Sequence, residues 1–263
     1  MGSIEPHAPL LTIPPIDQAI FKMMTAENLL CSIDGNYLHF NRVDSYTDFP
    51  GADANDGQQL PRDHIINANI RFEKSPDYSA ANYYDQSRAR TYACCFSLEN
   101  TDFIWGKYAN SSSIGKVCIV FNFGKLRDCL NKILQANNCA LVCNGNICRQ
   151  IFSLNYGIVE YVEWQMHQVN KEHLQNPIIY TYLKDTQFSK EKELRISLSA
   201  QGMGEFVLKE GSTIQFPNSF HFYFNFREAL SKGIIQQLLY APECDSNLLK
   251  SELYKRQIES IDA

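Results

Sequence analysis

Residues Phe188–Ser199 read FSKEKELRISLS. Laid out with the period of two that a strand imposes, Glu191, Glu193, Arg195, Ser197 and Ser199 share one face, and Leu194, Ile196 and Leu198 share the other. The pattern predicts a strand over 191–198 with one face in a core and the other turned to chemistry or water. Two carboxylates on one strand face stand about 7 Å apart at the backbone, close enough to act on one small substrate and far enough to ionise differently. Arg195, next along, would hold one of them ionised or bind an anionic group. The plain alternative is a solvated charged face on an edge strand.

The richest neighbouring stretch is RTYACCFSLENTDFIWGKYANSSSIGKVCIVFNF, residues 90–123. It predicts a buried strand over Tyr92–Ser97 and a brief helix capped by Asn100 or Thr101. That helix would carry Trp105 and Tyr108 on one face at i and i+3, and a second strand would run over Lys116–Phe123. A helix from Gly124 to about residue 137 follows on the pattern Leu126, Cys129, Leu130, Ile133, Leu134. Upstream, apolar residues at helical spacing predict a helix over Asp17–Ile33, capped by Asp17 and stopped by Gly35. Then come a strand over Tyr37–Val43, a loop over Asp48–Gln58 and partly exposed helical sequence over Arg62–Arg88. Downstream, strands are expected at Gly157–Glu163, Glu205–Lys209, Phe220–Phe226 and Ile234–Tyr240, with a helix at Phe226–Lys232. A C-terminal helical segment, 246–260, closes the chain, and residues 1–16, rich in proline, read as an extended arm. Strands and helices interleave without a βαβ rhythm. The expectation is one α+β domain over 1–263 with a mixed or antiparallel sheet.

With 263 residues, 44% hydrophobic and 20% charged, the chain has the composition of an ordinary globular protein. The formal net charge of -5 and the scattered Lys and Arg argue against a nucleic-acid footprint. No window reaches the roughly 18 apolar residues of a membrane span, and no secretory core opens the chain. Nine cysteines, Cys94 and Cys95 adjacent, read as reduced thiols in a cytoplasmic protein. Cys139, Cys143 and Cys148 lack paired C-x-x-C knuckles, so no metal site is expected. There is no G-x-S-x-G elbow, P-loop, G-x-G-x-x-G after a strand, or H-E-x-x-H.

The short motifs, taken in order, resemble a large, mainly bacterial family of domains of unknown function. They are Phe21-Lys22; Leu38-His39-Phe40-Asn41-Arg42-Val43-Asp44 with Tyr46-Thr47-Asp48; Cys95-Phe96-Ser97; Trp105-Gly106-Lys107-Tyr108-Ala109; Gly115 to Phe121; Val159-Glu160-Tyr161; and Glu191 to Arg195. The resemblance covers about residues 18–200. That family in turn is similar to the ADP-ribosyltransferase superfamily, whose members split NAD in a cleft between two small sheets. Their pattern is a basic or His residue on an early strand, a Ser on a middle strand and a Glu, often E-x-E, on a late one.

Carried over by position, the resemblance implies an NAD-dependent transferase with Glu193 as the catalytic carboxylate and Glu191 orienting or deprotonating the acceptor. Lys22, His39, Arg42, Ser97, Trp105, Tyr108 and Arg195 form the implied NAD-binding set. Arg42 or His39 would contact the adenosine half or a phosphate, Ser97 would brace the cleft, and Trp105 or Tyr108 would pack near the nicotinamide. The expected product is a mono-ADP-ribosylated protein side chain, arginine among the candidates. The enzyme would be a bacterial effector, toxin or defence protein, cytoplasmic or delivered into a host cytoplasm. Two departures fall at the adenosine end: Phe49-Pro50-Gly51 replaces the family's acidic turn, and Cys95-Phe96-Ser97 replaces Ser-Thr-Ser. The rival expectation is a non-catalytic interaction module, antitoxin-like or a phage-defence component. A third is NAD hydrolysis with water as acceptor.

Overall fold

A computed structural model describes residues 3–48, 51–73, 75–135, 140–143, 146–149, 152–169, 176–200 and 216–258. In chain order the strands and helices begin with β1 (Ser3–Ile4), β2 (Ala19–Thr25), α1 (Ala26–Gly35), β3 (Tyr37–Arg42), α2 (Pro61–Asn67), β4 (Arg71–Phe72) and β5 (Ser75–Ser79). There follow α3 (Ala80–Arg88), β6 (Thr91–Ser97), α4 (Asp102–Lys107), β7 (Lys116–Asn122), α5 (Phe123–Gln135), β8 (Ala140–Cys143), β9 (Asn146–Arg149) and β10 (Phe152–Ile158). The last are β11 (Glu160–Val162), β12 (Leu183–Asp185), β13 (Glu193–Ala200), β14 (Ser219–Tyr223), α6 (Phe226–Ser231), β15 (Ile235–Tyr240) and α7 (Ser246–Lys255). The fold is α+β, a mixed sheet with flanking helices.

Nine strands form the main sheet, in the order β1-β10-β13-β6-β2-β7-β15, with β14 and β3 branching from β6. The pivot is β6. On one side it pairs along its length with β13. On the other it is shared: Ala93 and Tyr92 lie opposite β3, while Ser97 lies opposite Phe21 of β2. The sheet therefore splits along one edge of β6, beside Cys94-Cys95-Phe96. A strand edge left open exposes backbone groups that need partners. Here Lys22 Nζ donates to the Cys95 carbonyl at 3.1 Å, and the Tyr46 hydroxyl donates to the Ala93 carbonyl at 3.2 Å.

One sheet face packs the main core. Leu194, Ile196, Leu198, Tyr92, Phe96, Leu154 and Tyr156 are buried against residues of α1, α5, α6 and α7. The alternation expected for β13 holds from Glu193 onward, but both faces are buried. The polar face lies under the segment around Asp56 and the segment 177–185, with a second apolar cluster that includes Leu60, Tyr84, Trp164, Tyr180 and Leu183. The N-terminal segment is pinned to the sheet: β1 joins β10 in parallel, and Glu5 accepts from Arg127 Nε at 2.7 Å and Nη2 at 2.6 Å. At the other end Leu249 and Leu253 of α7 are fully buried, so the C-terminal helix docks.

Several sequence expectations need correction. Ala19–Thr25 is a strand and not the first turns of a helix, and α1 starts at Ala26, capped by the Thr25 side chain 3.1 Å from Asn28 N. The apolar run AIFKMMT fits either period, and seven cross-strand pairs with β7 decide it. Arg62–Arg88 is not one helix: a hairpin, β4 and β5, interrupts it, and a Ser79–Asn82 capping box restarts it as α3. Tyr108 lies outside α4 with extended backbone, so it does not share a helical face with Trp105. The strand expected at Gly157–Glu163 breaks at Val159, whose N–H donates to the Glu193 carbonyl, and continues in a different sheet. Glu205–Lys209 and Cys139 lie outside the described residues. Among the described residues no helix is long and apolar enough to cross a membrane, and no metal-ligating cluster is found.

Candidate functional site

At the Ser97 end of the pivot strand, β13 places Glu193 directly opposite Ser97, and β2 places Phe21 directly opposite it on the other side. Glu193 and Ser97 point to the polar face, where both are 5% exposed. Glu191 is not on the strand. It ends a 3-10 turn, Thr186–Glu191, and Lys192 then takes a left-handed φ of 45° that reorients the chain into β13. The period of two breaks between the glutamates, yet their carboxylates converge because one ammonium bridges them. Lys184 Nζ lies 2.7 Å from Glu191 Oε2 and 2.8 Å from Glu193 Oε2. Ser97 Oγ donates to the Glu191 carbonyl at 2.9 Å and accepts from Glu99 N at 3.2 Å, so its present work is to hold this turn.

Arg195 is fully buried. Its guanidinium grips Asp56 through two bonds of 2.5 and 2.7 Å, Glu193 through two of 2.8 and 3.1 Å, and the Thr181 carbonyl at 2.7 Å. It does hold a carboxylate ionised, but no donor pair is left for an anionic ligand, which corrects the second half of that expectation. Lys107 Nζ completes the cluster on Glu191, with its side chain 23% exposed. Three acids (Asp56, Glu191, Glu193) thus meet three bases (Lys107, Lys184, Arg195), and the formal charges cancel. Burial alone would push the Glu193 carboxyl up; the charges of Arg195 and Lys184 outweigh it and hold it well below the usual carboxylate range. Lys184 is desolvated too, yet Glu193, Asp56 and Glu191 raise its pKa well above normal. Glu193, Lys184 and Arg195 are therefore each shifted toward their charged forms.

The walls are aromatic and thiol. Cys95, on the same face as Arg195, bonds the Tyr46 hydroxyl at 3.2 Å, and burial followed by the Glu193 charge pushes its thiol far up. The Tyr161 hydroxyl accepts from Glu193 N at 2.9 Å. Lys107 Nζ stands 4.9 Å from the ring of Phe188, 5.6 Å from Tyr108 and 5.9 Å from Phe103, a cation held among π faces. Tyr108 is 38% exposed, and burial together with the Glu191 charge raises its phenol.

Of the residues singled out in the sequence, Glu193, Glu191, Arg195, Ser97 and Tyr108 converge here. The others do not. Trp105 donates its Nε1–H to Asn100 Oδ1 at 2.7 Å on the outer side of α4. Arg42 is committed to Asp44 at 2.6 Å and to the Phe216 carbonyl. Lys22 and His39 belong to the split: Lys22 lies 5.1 Å from the Phe96 ring, and His39 bonds Asn41 at 2.9 Å and faces His221 at 5.4 Å. Burial, opposed by the Asn41 bond, lowers the His39 pKa, and His221 and Lys22 add to the lowering.

Sequence reasoning missed Lys107, Lys184 and Asp56. Lys107 stands inside the Trp105–Tyr108 motif, where the aromatic residues carry the stronger signal. Lys184 closes an apolar run and Asp56 lies in a loop of ordinary turn composition, so neither carries a local signal. Two cavities, of about 360 Å³ beside Lys125 and Lys232 and of about 230 Å³ beside Arg90 and Ser199, are lined by neither glutamate nor by Ser97. No protein-family model, curated protein or solved structure matches the chain.

Proposed function

We propose that the cluster around Glu193 is the active centre of an NAD-dependent mono-ADP-ribosyltransferase. One observation carries the reading: Phe21 of the Phe21-Lys22 pair, Ser97 and Glu193 occupy one row across three adjacent strands, where the sheet splits. The row supplies the middle serine and the late glutamate of the order implied by the resemblance; the basic residues implied for the early strand, Arg42 and His39, lie on β3 outside the row, and Lys22 serves the Cys95 carbonyl.

NAD supplies an activated ribose: its bond to nicotinamide breaks with the electron pair leaving on the base, and an acceptor lone pair takes its place at the sugar carbon. Glu193, kept ionised by Arg195 and Lys184, is suited to bond a ribose hydroxyl and steady the positive charge that grows on the sugar. Glu191 would take the acceptor's proton. Lys107 and Tyr108 are the partly exposed side chains that touch Glu191, so the substrate enters by displacing the ammonium of Lys107.

The test is nicotinamide release from NAD. Glu193→Ala should lower it by about 10²-fold or more, and Lys107→Ala should raise it. Absence of turnover in wild type and in Lys107→Ala alike would end the catalytic reading, while free ADP-ribose without protein labelling would make the enzyme a hydrolase. The second reading, a non-catalytic module, rests on the saturation of the cluster. Both oxygens of Glu191 and of Glu193 already accept from Lys or Arg, as they would in a purely structural ion network.

A further inference from the structure

One side of α5 carries Lys125, Cys129, Lys132 and Ile133, whose spacing on a 3.6-residue period sets them along a single helical face. All four line the cavity of about 360 Å³. α6 and the turn after it supply a second wall through Ala229, Lys232 and Ile234, and Tyr223, the last residue of β14, completes the lining. These helices cover the main core, so the cavity lies across the sheet from the Glu193 cluster. Its depth is apolar: Ala229 and Ile234 are buried, and Cys129 and Ile133 pack against the core.

The polar groups around that depth are only partly committed. Lys132 is exposed, and among the described residues its ammonium makes no hydrogen bond or ion pair. Lys125 Nζ makes one long bond, 3.4 Å to the Lys232 carbonyl. Lys232 itself pairs with Glu228, four residues back on α6. Burial and then the Glu228 charge raise the Cys129 thiol, while the charges of Lys232 and Lys132 oppose the rise, so both ammonium groups act on the cavity floor. Tyr223 is 56% exposed; among the described residues its ring stacks on no other ring and its hydroxyl makes no hydrogen bond.

Three physical points set the ligand class. First, three lysines and two carboxylates, Asp128 and Glu228, line the cavity, which leaves one positive charge. A single negative charge neutralises it, whereas a polyanion meets the two carboxylates as well. Second, an apolar floor beside an unstacked phenol ring favours a flat apolar body over a sugar or a bare ion. Third, about 360 Å³ falls within the range of roughly 300–1,000 Å³ typical of small-molecule sites, near its lower end.

We infer that this cavity binds a small aromatic monoanion, a carboxylate or sulfonate carried on one or two fused rings. The rings lie on Ile133, Ala229 and Ile234 beside Tyr223, and the charge meets Lys132 and Lys125. The site shares no residue with the Glu193 cluster and holds whether or not that cluster is catalytic.

Isothermal titration of the full chain tests it, with naphthalene-2-carboxylate, naphthalen-2-ylmethanol and inorganic phosphate as probes. The carboxylate should bind, the alcohol about tenfold more weakly, and phosphate not measurably. Lys132→Glu should weaken carboxylate binding by about tenfold or more, and Tyr223→Ala several-fold; both side chains are exposed, so the fold should survive either change. The floor thiol places the ligand: naphthalene-2-carboxylate should slow alkylation of Cys129 and leave that of Cys31, on α1, unchanged. Absence of binding, equal affinity for the alcohol, or affinity unchanged in both variants would overturn the assignment. So would phosphate binding as tight as the carboxylate's, which would mark surface lysines that merely collect anions, or a Cys129 that the ligand fails to protect.

Discussion

Replacing Arg195 by methionine removes the centre of the buried network and keeps most of its volume. The guanidinium is fully buried and makes five hydrogen bonds, to Asp56, Glu193 and the Thr181 carbonyl. Without it the three carboxylates face two ammonium groups, and the ion pair left to Asp56 among the described residues is that with Lys184, at 3.8 Å. Breaking a buried pair by deleting one partner costs about 3–5 kcal/mol, because the stranded charge stays desolvated. Against a total stability of roughly 5–15 kcal/mol that is a large share, and it lowers the melting temperature by roughly 10 °C. The loss should also depend on pH, with a definite sign. In wild type the Glu193 pKa is depressed, so its stabilisation is full above the unfolded carboxylate value and fades as pH falls below it. In the variant the dominant lowering charge is gone, burial raises the carboxyls, and protonation relieves the stranded charge. The gap between the two proteins should therefore narrow as pH drops from 7 toward 4. Urea denaturation at both pH values reads this out, with Arg195→Met/Asp56→Leu expected to regain part of the loss. A variant within 1 kcal/mol of wild type at pH 7, or a gap that ignores pH, would refute the account of Glu193 as a desolvated carboxylate held ionised by Arg195.

Glu27 offers a second acid-sensitive clamp. Burial pushes its carboxyl up, but the hydroxyls of Ser112 and Ser113 and the Ile114 N–H outweigh it and hold the group at about 2. Stability it contributes at neutral pH is lost as pH falls from about 5 toward 2; because the group is partly exposed, Glu27→Gln should cost only about 1 kcal/mol at pH 7, read by chemical denaturation. Among the described cysteines, Cys31 is exposed whereas Cys94 and Cys118 are buried, and burial drives the Cys118 thiol to about 12. Mass spectrometry after brief alkylation should find Cys31 modified, with Cys94, Cys95 and Cys118 protected until denaturant is added. Gly115 has φ 133°, and a Cβ there would meet the Cys244 backbone at 2.4 Å, so Gly115→Ala should destabilise by about 2 kcal/mol or more in thermal melts.

The fold was legible where a strand is buried along its whole length. Thr91–Ser97, Lys116–Asn122 and Glu193–Ala200 announce themselves through apolar runs or alternation that tertiary pairing only confirms. It was illegible where one sequence satisfies two periods, as in Ala19–Thr25, because the deciding energy is pairing with a strand about a hundred residues away. The carboxylate site was half legible for a related reason. Glu191, Glu193 and Arg195 are neighbours in sequence, so their clustering shows locally. Their counter-ions Lys107 and Asp56 come from distant segments, and although Lys184 is only seven residues before Glu191, no local pattern marks a lysine that will be buried. Period-two reasoning placed Glu191 with Glu193 correctly as a carboxylate and wrongly as a strand residue, since the left-handed Lys192 intervenes.

The two functional readings differ in one energy, the cost of opening the cluster. Lys184 is 8% exposed and bridges both glutamates, so withdrawing it strands two buried charges and costs several kcal/mol. Lys107 is 23% exposed and, of the two glutamates, pairs with Glu191 alone, so swinging it into water costs closer to 1 kcal/mol, a factor of about five in apparent affinity. Catalysis is compatible with the second figure and not with the first. A substrate must therefore arrive from the Lys107 side, meeting Glu191 before Glu193. That order has a consequence for mutants: Glu191→Gln loosens Lys107 and should lower the KM for NAD while reducing transfer to protein, whereas Glu193→Gln should abolish nicotinamide release with KM little changed. Steady-state kinetics with both variants would separate them. Identical losses in the two would mean that the glutamates act only as a structural pair, and the non-catalytic reading would stand.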